Sequence, residues 1–445
     1  MSSPAPELAE PSAPPRVSGL RRVLANLAHL IGGKAAAGVM SLVYVVIVAR
    51  TLGAHDYGVL ILLTGYTTLV GSVVAFSGFH GMVRYGTIAL EAGDRAELAQ
   101  IARFMALIEL ACGVLAFLVA LAAIPFVGPR LGWSADAMRI APVYCIAVFS
   151  SVRATPQGLL QIAGRFDLIG VQQTVNPIIR LVGTLLMWAL GAGLDGFLIV
   201  WLISLVAESV AMWGFGLVAW RKIAGSEPLI GRWRGLLRRI KGFGSFILLT
   251  NFDLTLRDLA PNLAPLTVGW ILGPAAAGLY SLALRATTLF QQPALLLAQA
   301  SYSVLVEQVA KRRLDLLRKT VWRSGMLALA VATPFVLVLT FGGKFVLPLI
   351  GGKSFTGGAA LLALVTFARA ANLFASPLSA GLTALGRPQR SMMVTLVTNL
   401  ALYPALPLLL LWIGLDGAGW QAFGQALIAT VMLAIFFAKD AVDRR

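Results

Sequence analysis

An internal repeat limits the architectures open to this chain, because three short phrases each recur about 220 residues later. A Leu-Gly pair, four residues and a further Gly occupy 52–58 and again 272–278. Gly-Leu-Asp-Gly occupies 193–196 and 414–417, and Gly-Arg stands at 164–165 and 386–387. Three pairs in the same order at a nearly constant offset indicate two related halves. A repeat on this scale predicts architecture before any single motif does.

Apolar runs of roughly 20 residues recur from about residue 28 to about residue 438, and each is long enough to cross ~30 Å of hydrocarbon. Only 12% of the residues are charged, whereas a soluble domain carries about 25%. Backbone groups cannot go unpaired in lipid, so these runs predict helices. We therefore expect an all-α integral membrane protein with about 12 transmembrane helices, arranged as two parallel six-helix repeats around a central cavity.

The apolar runs also give approximate span limits. The first six spans are placed at 28–50, 58–80, 102–124, 139–160, 169–190 and 196–220. The second six are placed at 243–272, 280–302, 321–343, 356–382, 391–411 and 418–438. The seventh span contains Asp253, Arg257 and Asp258, so hydropathy alone would question it. The repeat retains it, because its end must match the end of the first span.

Four segments follow from these spans. Residues 1–20, rich in Pro, Ser and Ala, are expected to form a disordered cytoplasmic tail. Residues 21–220 form the first six-helix bundle, 221–242 a cytoplasmic linker and 243–445 the second bundle. Within the linker, apolar and basic residues alternate at helical spacing, which predicts an amphipathic helix on an anionic leaflet. A linker that only enforces orientation is the alternative.

Lysine and arginine in the loops set the orientation. With both termini on one side, the loops of that side hold about 24 cations and the opposite loops about three. We therefore expect a multi-pass protein of the bacterial inner (plasma) membrane with both termini in the cytoplasm. The net charge of +17 is then a signal of topology, and no nucleic-acid partner is expected.

Ionisable residues inside the spans are costly and usually face a cavity or a partner. Nine are apparent: Lys34, Arg153, Arg180, Glu208, Asp253, Arg257, Asp258, Arg285 and Arg369. Cations outnumber anions by six to three in this set, which predicts an aqueous cavity of positive potential suited to an anionic ligand. The best candidates to line it and bind that ligand are Lys34, Arg180, Arg285 and Arg369.

The remaining charges have more than one interpretation. Asp253 and Arg257 stand four apart and can neutralise each other, whereas Arg153 can extend its head towards the membrane surface. Glu208 and Asp258 leave ion coupling open. Neither metal-ligand spacing nor a Gly-rich phosphate loop is present, so we expect no catalytic residues, no metal and no cofactor.

The ends of spans one and seven carry the most recognisable motifs. The first span ends in Val-Ala-Arg-Thr-Leu-Gly at 48–53, followed by Tyr57 and Gly58. The second half offers Asp258, then Leu-Gly at 272–273, then Gly-Leu-Tyr at 278–280. The chain after its N-terminal tail resembles polysaccharide-transporter-type flippases, including those for O-antigen. These belong to the multidrug/oligosaccharidyl-lipid/polysaccharide (MOP) flippase superfamily.

The resemblance implies two six-helix bundles around a V-shaped cavity and a polyprenyl-diphosphate-linked oligosaccharide as substrate. The substrate would move from the cytoplasmic to the periplasmic leaflet by alternating access, in O-antigen or exopolysaccharide synthesis. Its partners would be membrane lipids and polysaccharide assembly proteins, and the protein would be a transporter and not an enzyme. Two alternatives stay open. A cation-coupled multidrug exporter of the same superfamily would favour carboxylates in its cavity, and a membrane-embedded glycan polymerase or ligase would need a larger periplasmic loop.

Overall fold

The computed structural model describes residues 19–288, 305–309 and 311–442, with side chains from residue 37 to residue 440 of that set. The predicted tail at 1–20 therefore lies almost wholly outside the described residues. The Lys34 side chain and the second part of the predicted eighth span, 289–302, lie outside them too.

In the described residues the first half contains seven α-helices, of which the short α2 stands beside the membrane spans. They are α1 (Gly19–Val74), α2 (Phe79–Glu91), α3 (Arg95–Arg130), α4 (Ala135–Tyr144), α5 (Ala154–Ile162), α6 (Phe166–Ala189) and α7 (Leu194–Ile223). Helix α1 is two spans, because Gly53 breaks the helical path with φ 73° and ψ 178°. The predicted fourth span consists of α4, a 3-10 turn and α5.

The linker contributes the short helix α8 (Leu236–Arg239), and the second half follows. Its helices are α9 (Phe243–Leu272), α10 (Pro274–Thr288), α11 (Leu314–Gly351), α12 (Ala359–Ala384), α13 (Pro388–Leu396), α14 (Ala405–Ile413) and α15 (Asp416–Val442). Helices α13 and α14 form one broken span that bends by 44°. The linker helix is shorter than the predicted pattern, because Gly235 and Gly242 adopt φ of 89° and 77° at its two sides.

Length and hydropathy alone identify 7 helices in the described residues that could cross a membrane, or 8 with the bent pair. That test counts α1 once, although it is two spans. It omits α6 and α9, whose middle turns carry charges, and α10, which is described only to Thr288. Together these helices supply the twelve predicted spans, and the all-α fold of two parallel six-helix repeats is confirmed.

Backbone conformation confirms two of the three repeated phrases. Gly273 has φ 86° and ψ 175°, which closely matches Gly53. Gly164 and Gly386 have φ of 69° and 70°, and each follows a helix whose last turn is closed by the same pattern of hydrogen bonds. The third pair differs, because φ is positive at Gly414 and negative at Gly193.

The two halves share one buried core on the side that holds Gly53, which we call the distal side. The largest apolar cluster there packs Leu60 of the first half with Leu282 and Phe355 of the second. On the opposite side, which holds the termini, the described residues form separate clusters. One contains Met105 and the start of α9, and another contains Leu382. Towards the termini side, α9 therefore packs on the first half, whereas the described remainder of the second half forms a core of its own.

Two glycines of the repeated phrase make this distal contact possible. A Cβ on Gly58 would overlap the carbonyl oxygen of Pro274, and a Cβ on Gly278 would overlap that of Ala54. Each glycine thus packs against the backbone of the other half. Arg50 adds a second link, since its guanidinium donates to the carbonyl of Leu349.

Candidate functional site

Among the cavities that the described residues form, three are polar and contain at least one of the ionisable residues singled out from the sequence. We name them after the residue that distinguishes each one. The Arg285 cavity has a volume of about 390 Å³, the Asp258 cavity about 450 Å³ and the Arg369 cavity about 350 Å³.

The Arg285 cavity lies where α10 of the second half meets the first half. Its first-half wall comprises Ser41 and Tyr44 of α1, Asn176 of α6 and Glu208 of α7. Arg285 enters from α10, is exposed to the cavity and makes no hydrogen bond to a described residue. The cavity thus needs both halves.

Arg180 lies near the same cavity but is held inside the first half. Its side chain is only 8% exposed, and Nε donates to the Ser204 hydroxyl at 3.0 Å. The guanidinium carbon lies 4.8 Å from the Trp201 ring centroid and 6.0 Å from that of Tyr44. Cation–π contacts contribute about 0.5–1 kcal/mol at exposed sites and about 2 kcal/mol or more when desolvated. Arg180 therefore contacts Tyr44, which lines the cavity, and places a positive charge beside it.

Both carboxylate oxygens of Glu208 accept hydrogen bonds from neighbouring side chains. Arg153 forms an ion pair with Oε1, and Gln172 donates to the same oxygen at 3.2 Å. Asn176 donates to Oε2 at 2.8 Å. Arg153 thus points inwards to a carboxylate and does not extend to the membrane surface. Because Glu208 is balanced by Arg153, the charges of Arg180 and Arg285 remain uncompensated at this cavity.

Glu109, in the middle of α3, is a further ionisable residue within a span that was not predicted from the sequence. It is fully buried, and its carboxylate accepts from the backbone amides of Ala154 and Thr155 at the start of α5. With Glu109 included, the charge count inside the spans is six cations to four anions. A single carboxylate within an otherwise apolar run was the signal that could have revealed it.

The Asp258 cavity lies between α1, α5 and α9. A stripe on α9 with helical spacing faces it, formed by Asn251, Thr255, Asp258 and Asn262. Arg153 lines the same cavity from the start of α5. Neighbouring Asp253 and Arg257 do not line it; they pair with each other, with Asp253 Oδ2 3.0 Å from Arg257 Nε.

The Arg369 cavity belongs to the second half alone. Arg369 and Asn372 of α12 face Thr395 of α13 together with Asn399 and Gln425. No carboxylate lines it among the described residues, and Gln425 donates to Asn399 at 2.6 Å. The cationic candidates are therefore divided: Arg180 and Arg285 adjoin one cavity, whereas Arg369 occupies another.

Comparison with known proteins supports the fold and the family. The family model described as "Polysaccharide biosynthesis protein" matches residues 47–359. The inner membrane protein YghQ of Escherichia coli (strain K12) is 26% identical over 339 residues, which cover 75% of this chain and 94% of that protein.

Two solved structures share the architecture. An inward-facing multidrug resistance MATE family transporter of the MOP superfamily superposes with a TM-score of 0.66 at 17% identity, covering 95% of this chain and 98% of the other. The lipid II flippase MurJ in an inward closed conformation gives 0.70 at 14% identity, covering 92% and 88%. At these identities the likeness concerns the fold.

Proposed function

This chain belongs to the family of polysaccharide biosynthesis proteins, and we propose that it is a flippase for a polyprenyl-diphosphate-linked oligosaccharide. The substrate moves from the cytoplasmic to the periplasmic leaflet of the bacterial inner membrane and supplies O-antigen or exopolysaccharide synthesis. The named activity of the structural neighbour MurJ, a lipid II flippase, supports a lipid-linked substrate.

The main support for this proposal is the position of Arg285. A guanidinium without a described hydrogen-bond partner projects from one half into a polar cavity of the other. Arg180 adds a second positive charge behind Tyr44, while Glu208 is neutralised by Arg153. A diphosphate fits this charge balance, because arginine binds phosphate oxygens through a bidentate fork.

Arg369 and Lys34 are proposed as further ligands on the path. The Arg369 cavity has no described carboxylate to compete for the guanidinium, so an anionic group is its natural ligand. Lys34 precedes Ser41 on the same helix by two turns and would contribute a point charge near the termini side.

The way in which the halves meet supports alternating access. The shared distal core closes one side of the seam between the halves. On the termini side α9 packs on the first half, and the described remainder of the second half has its own core. With both termini in the cytoplasm, as the loop cations predict, a core divided on that side supports an inward-facing state. The lipid tail stays in the bilayer while the head group enters, and polysaccharide assembly proteins receive the glycan on the other side.

The cation-coupled exporter is the second candidate, and Asp258 is the observation in its favour. This carboxylate faces a cavity without a hydrogen bond from a described residue. Glu208 and Glu109, in contrast, are fully occupied by donors within the protein. The carboxylates available for an organic cation are therefore few.

Binding measurements on the purified protein in nanodiscs would separate these candidates. We expect polyprenyl diphosphate to bind more tightly than polyprenyl monophosphate, and Arg285→Gln to weaken diphosphate binding by roughly 10- to 100-fold, since hydrogen bonds to charged groups contribute about 1.5–3 kcal/mol. Exposed Arg221 on α7 provides the matched control as Arg221→Gln. Binding of tetraphenylphosphonium without binding of the diphosphate would favour the exporter.

A further inference from the structure

The Asp258 cavity differs in chemistry from the two arginine cavities. Its walls are mainly neutral hydrogen-bonding groups from three helices, α1, α5 and α9: Thr68, Ser72, Gln157, Asn251, Thr255 and Asn262. Aromatic rings of Phe76 and Phe79 join them. Amides and hydroxyls both donate and accept, so the cavity offers both kinds of hydrogen bond over a volume of about 450 Å³.

The walls of this cavity are held in place by bonds between helices. The Asn251 side chain accepts from the backbone amide of Ser77 at 2.7 Å, where the chain leaves α1 and enters α2. Thr255 reaches the carbonyl of Ser72 at 3.4 Å. These links fix α9 against α1, so the remaining polar groups on the stripe face a preformed space.

The charge of the cavity argues against a diphosphate there. Its cation, Arg153, is paired with Glu208, whereas Asp258 has no ion-pair partner among the described residues. A doubly charged phosphate group would meet an uncompensated carboxylate. A small metal ion is also a poor fit, because no group of three or more His, Cys, Asp or Glu side chains comes together in the described residues.

A hydroxyl-rich, uncharged ligand matches these features. A carboxylate accepts from two neighbouring hydroxyls, amides satisfy hydroxyls in either direction, and an aromatic ring packs against the apolar face of a sugar. The volume lies within the usual range for small-molecule sites, about 300–1,000 Å³.

The Asp258 cavity adjoins the Arg285 cavity, in which we propose that the diphosphate binds. Arg153 lines the Asp258 cavity, and its partner Glu208 lines the Arg285 cavity, so this ion pair lies between the two. We infer that the Asp258 cavity is a saccharide subsite that binds the sugar next to the diphosphate, with Asp258 and Asn262 as its principal ligands. This inference rests on the proposed function.

Two probe lipids test the inference: polyprenyl diphosphate and polyprenyl diphosphate bearing one N-acetylglucosamine, each titrated against the protein in nanodiscs. The wild type should bind the sugar-bearing lipid more tightly. Asp258→Asn and Asn262→Ala should each lower affinity for that lipid by roughly tenfold, the loss of about one hydrogen bond to a charged or buried group. Neither should change affinity for the sugar-free lipid.

The matched control is Asp136→Asn, which makes the same chemical change at a 67% exposed side chain that lines none of the three cavities. Equal affinity of the wild type for both lipids, or equal losses for both lipids in the two variants, would overturn the saccharide subsite. The saccharide subsite would also be overturned if lipid affinity depended on sodium in the wild type, if Asp258→Asn abolished that dependence, and if the variant still preferred the sugar-bearing lipid. Failure of the wild type to bind either lipid would instead overturn the proposed function.

Discussion

Single side chains within the spans have roles that their type alone did not reveal. Arg180 and Arg285 look alike in the sequence, but Arg180 is buried against Trp201 whereas Arg285 faces a cavity. Helical position placed Arg180 near the middle of its span and Arg285 about two turns in from one end. The difference arises because residues of α7 contact Arg180. Such contacts between helices cannot be predicted from a single sequence. The i,i+4 pair of Asp253 and Arg257 could be anticipated, because both partners share one helix.

Removal of Glu109 should destabilise the protein. Glu109→Ala leaves the buried amides of Ala154 and Thr155 without an acceptor, and each unsatisfied group costs about 1–3 kcal/mol. We expect a clear fall in the thermal unfolding temperature in detergent, with no similar effect from Glu91→Ala at an exposed position. Identical unfolding temperatures for both variants would contradict the capping role.

At the scale of helices, the span limits were predictable where apolar length decides them. Helix α9 runs from Phe243 to Leu272 as predicted, and it accommodates Pro261 and Pro265 without a break. The interruption of the fourth span at 145–153 was not predictable, because Glu109 from α3 supplies the cap that restarts the helix there. The second span ends at Val74, before its predicted limit, since Asn251 binds the Ser77 amide beyond it.

The linker between the halves is fastened to α3 by three side chains on one helix face. Arg103 donates to the carbonyl of Pro228 and pairs with Glu227. Gln100 donates to the carbonyl of Arg234 at 2.7 Å, and Glu97 pairs with Arg239. The first half therefore carries the linker, whose amphipathic contact with the membrane remains a prediction.

Loss of the Arg103 contacts should loosen the linker locally. Arg103→Ala removes the donor to two backbone carbonyls, so we expect faster amide hydrogen exchange in peptides covering 226–235 and little change elsewhere. Lys222→Ala, at an exposed site in the last turn of α7, serves as the control. Unchanged exchange in Arg103→Ala would mean that other contacts hold the segment.

For the whole molecule, the repeat describes the scaffold and not the cavities. Gly53 and Gly273 share a conformation, and Gly58 and Gly278 pack reciprocally across the seam. Arg180, Arg285 and Arg369 have no counterparts one repeat away. The fold and the seam were therefore predictable from sequence symmetry, whereas the division into three cavities was not, since it depends on side chains that break that symmetry.

The distal glycines should control which side of the seam is open. A methyl group on Gly58 or Gly278 overlaps the opposing backbone, and overpacking of this kind costs about 1–3 kcal/mol. Gly58→Ala and Gly278→Ala should therefore shift the population away from the distally closed state by roughly 5- to 150-fold.

Spin labels at His55 and Ala275, both exposed on the distal side, would report this shift as longer distances, in a background without Cys112 and Cys145. Gly214→Ala, where an added Cβ meets no atom within 4 Å, is the matched control. Distance distributions that stay the same in all three glycine variants would contradict a distal gate at these glycines.

Transfer of polyprenyl diphosphate-N-acetylglucosamine between leaflets of proteoliposomes tests the central proposal most directly, with sugar accessibility to an external galactosyltransferase as the signal. The wild type should expose internal substrate faster than protein-free vesicles. Arg285→Gln should lower that rate at least tenfold, and Arg221→Gln should match the wild type. A wild-type rate equal to that of empty vesicles, or full transfer by Arg285→Gln, would contradict the proposal that the protein is a flippase that binds the diphosphate between its two halves.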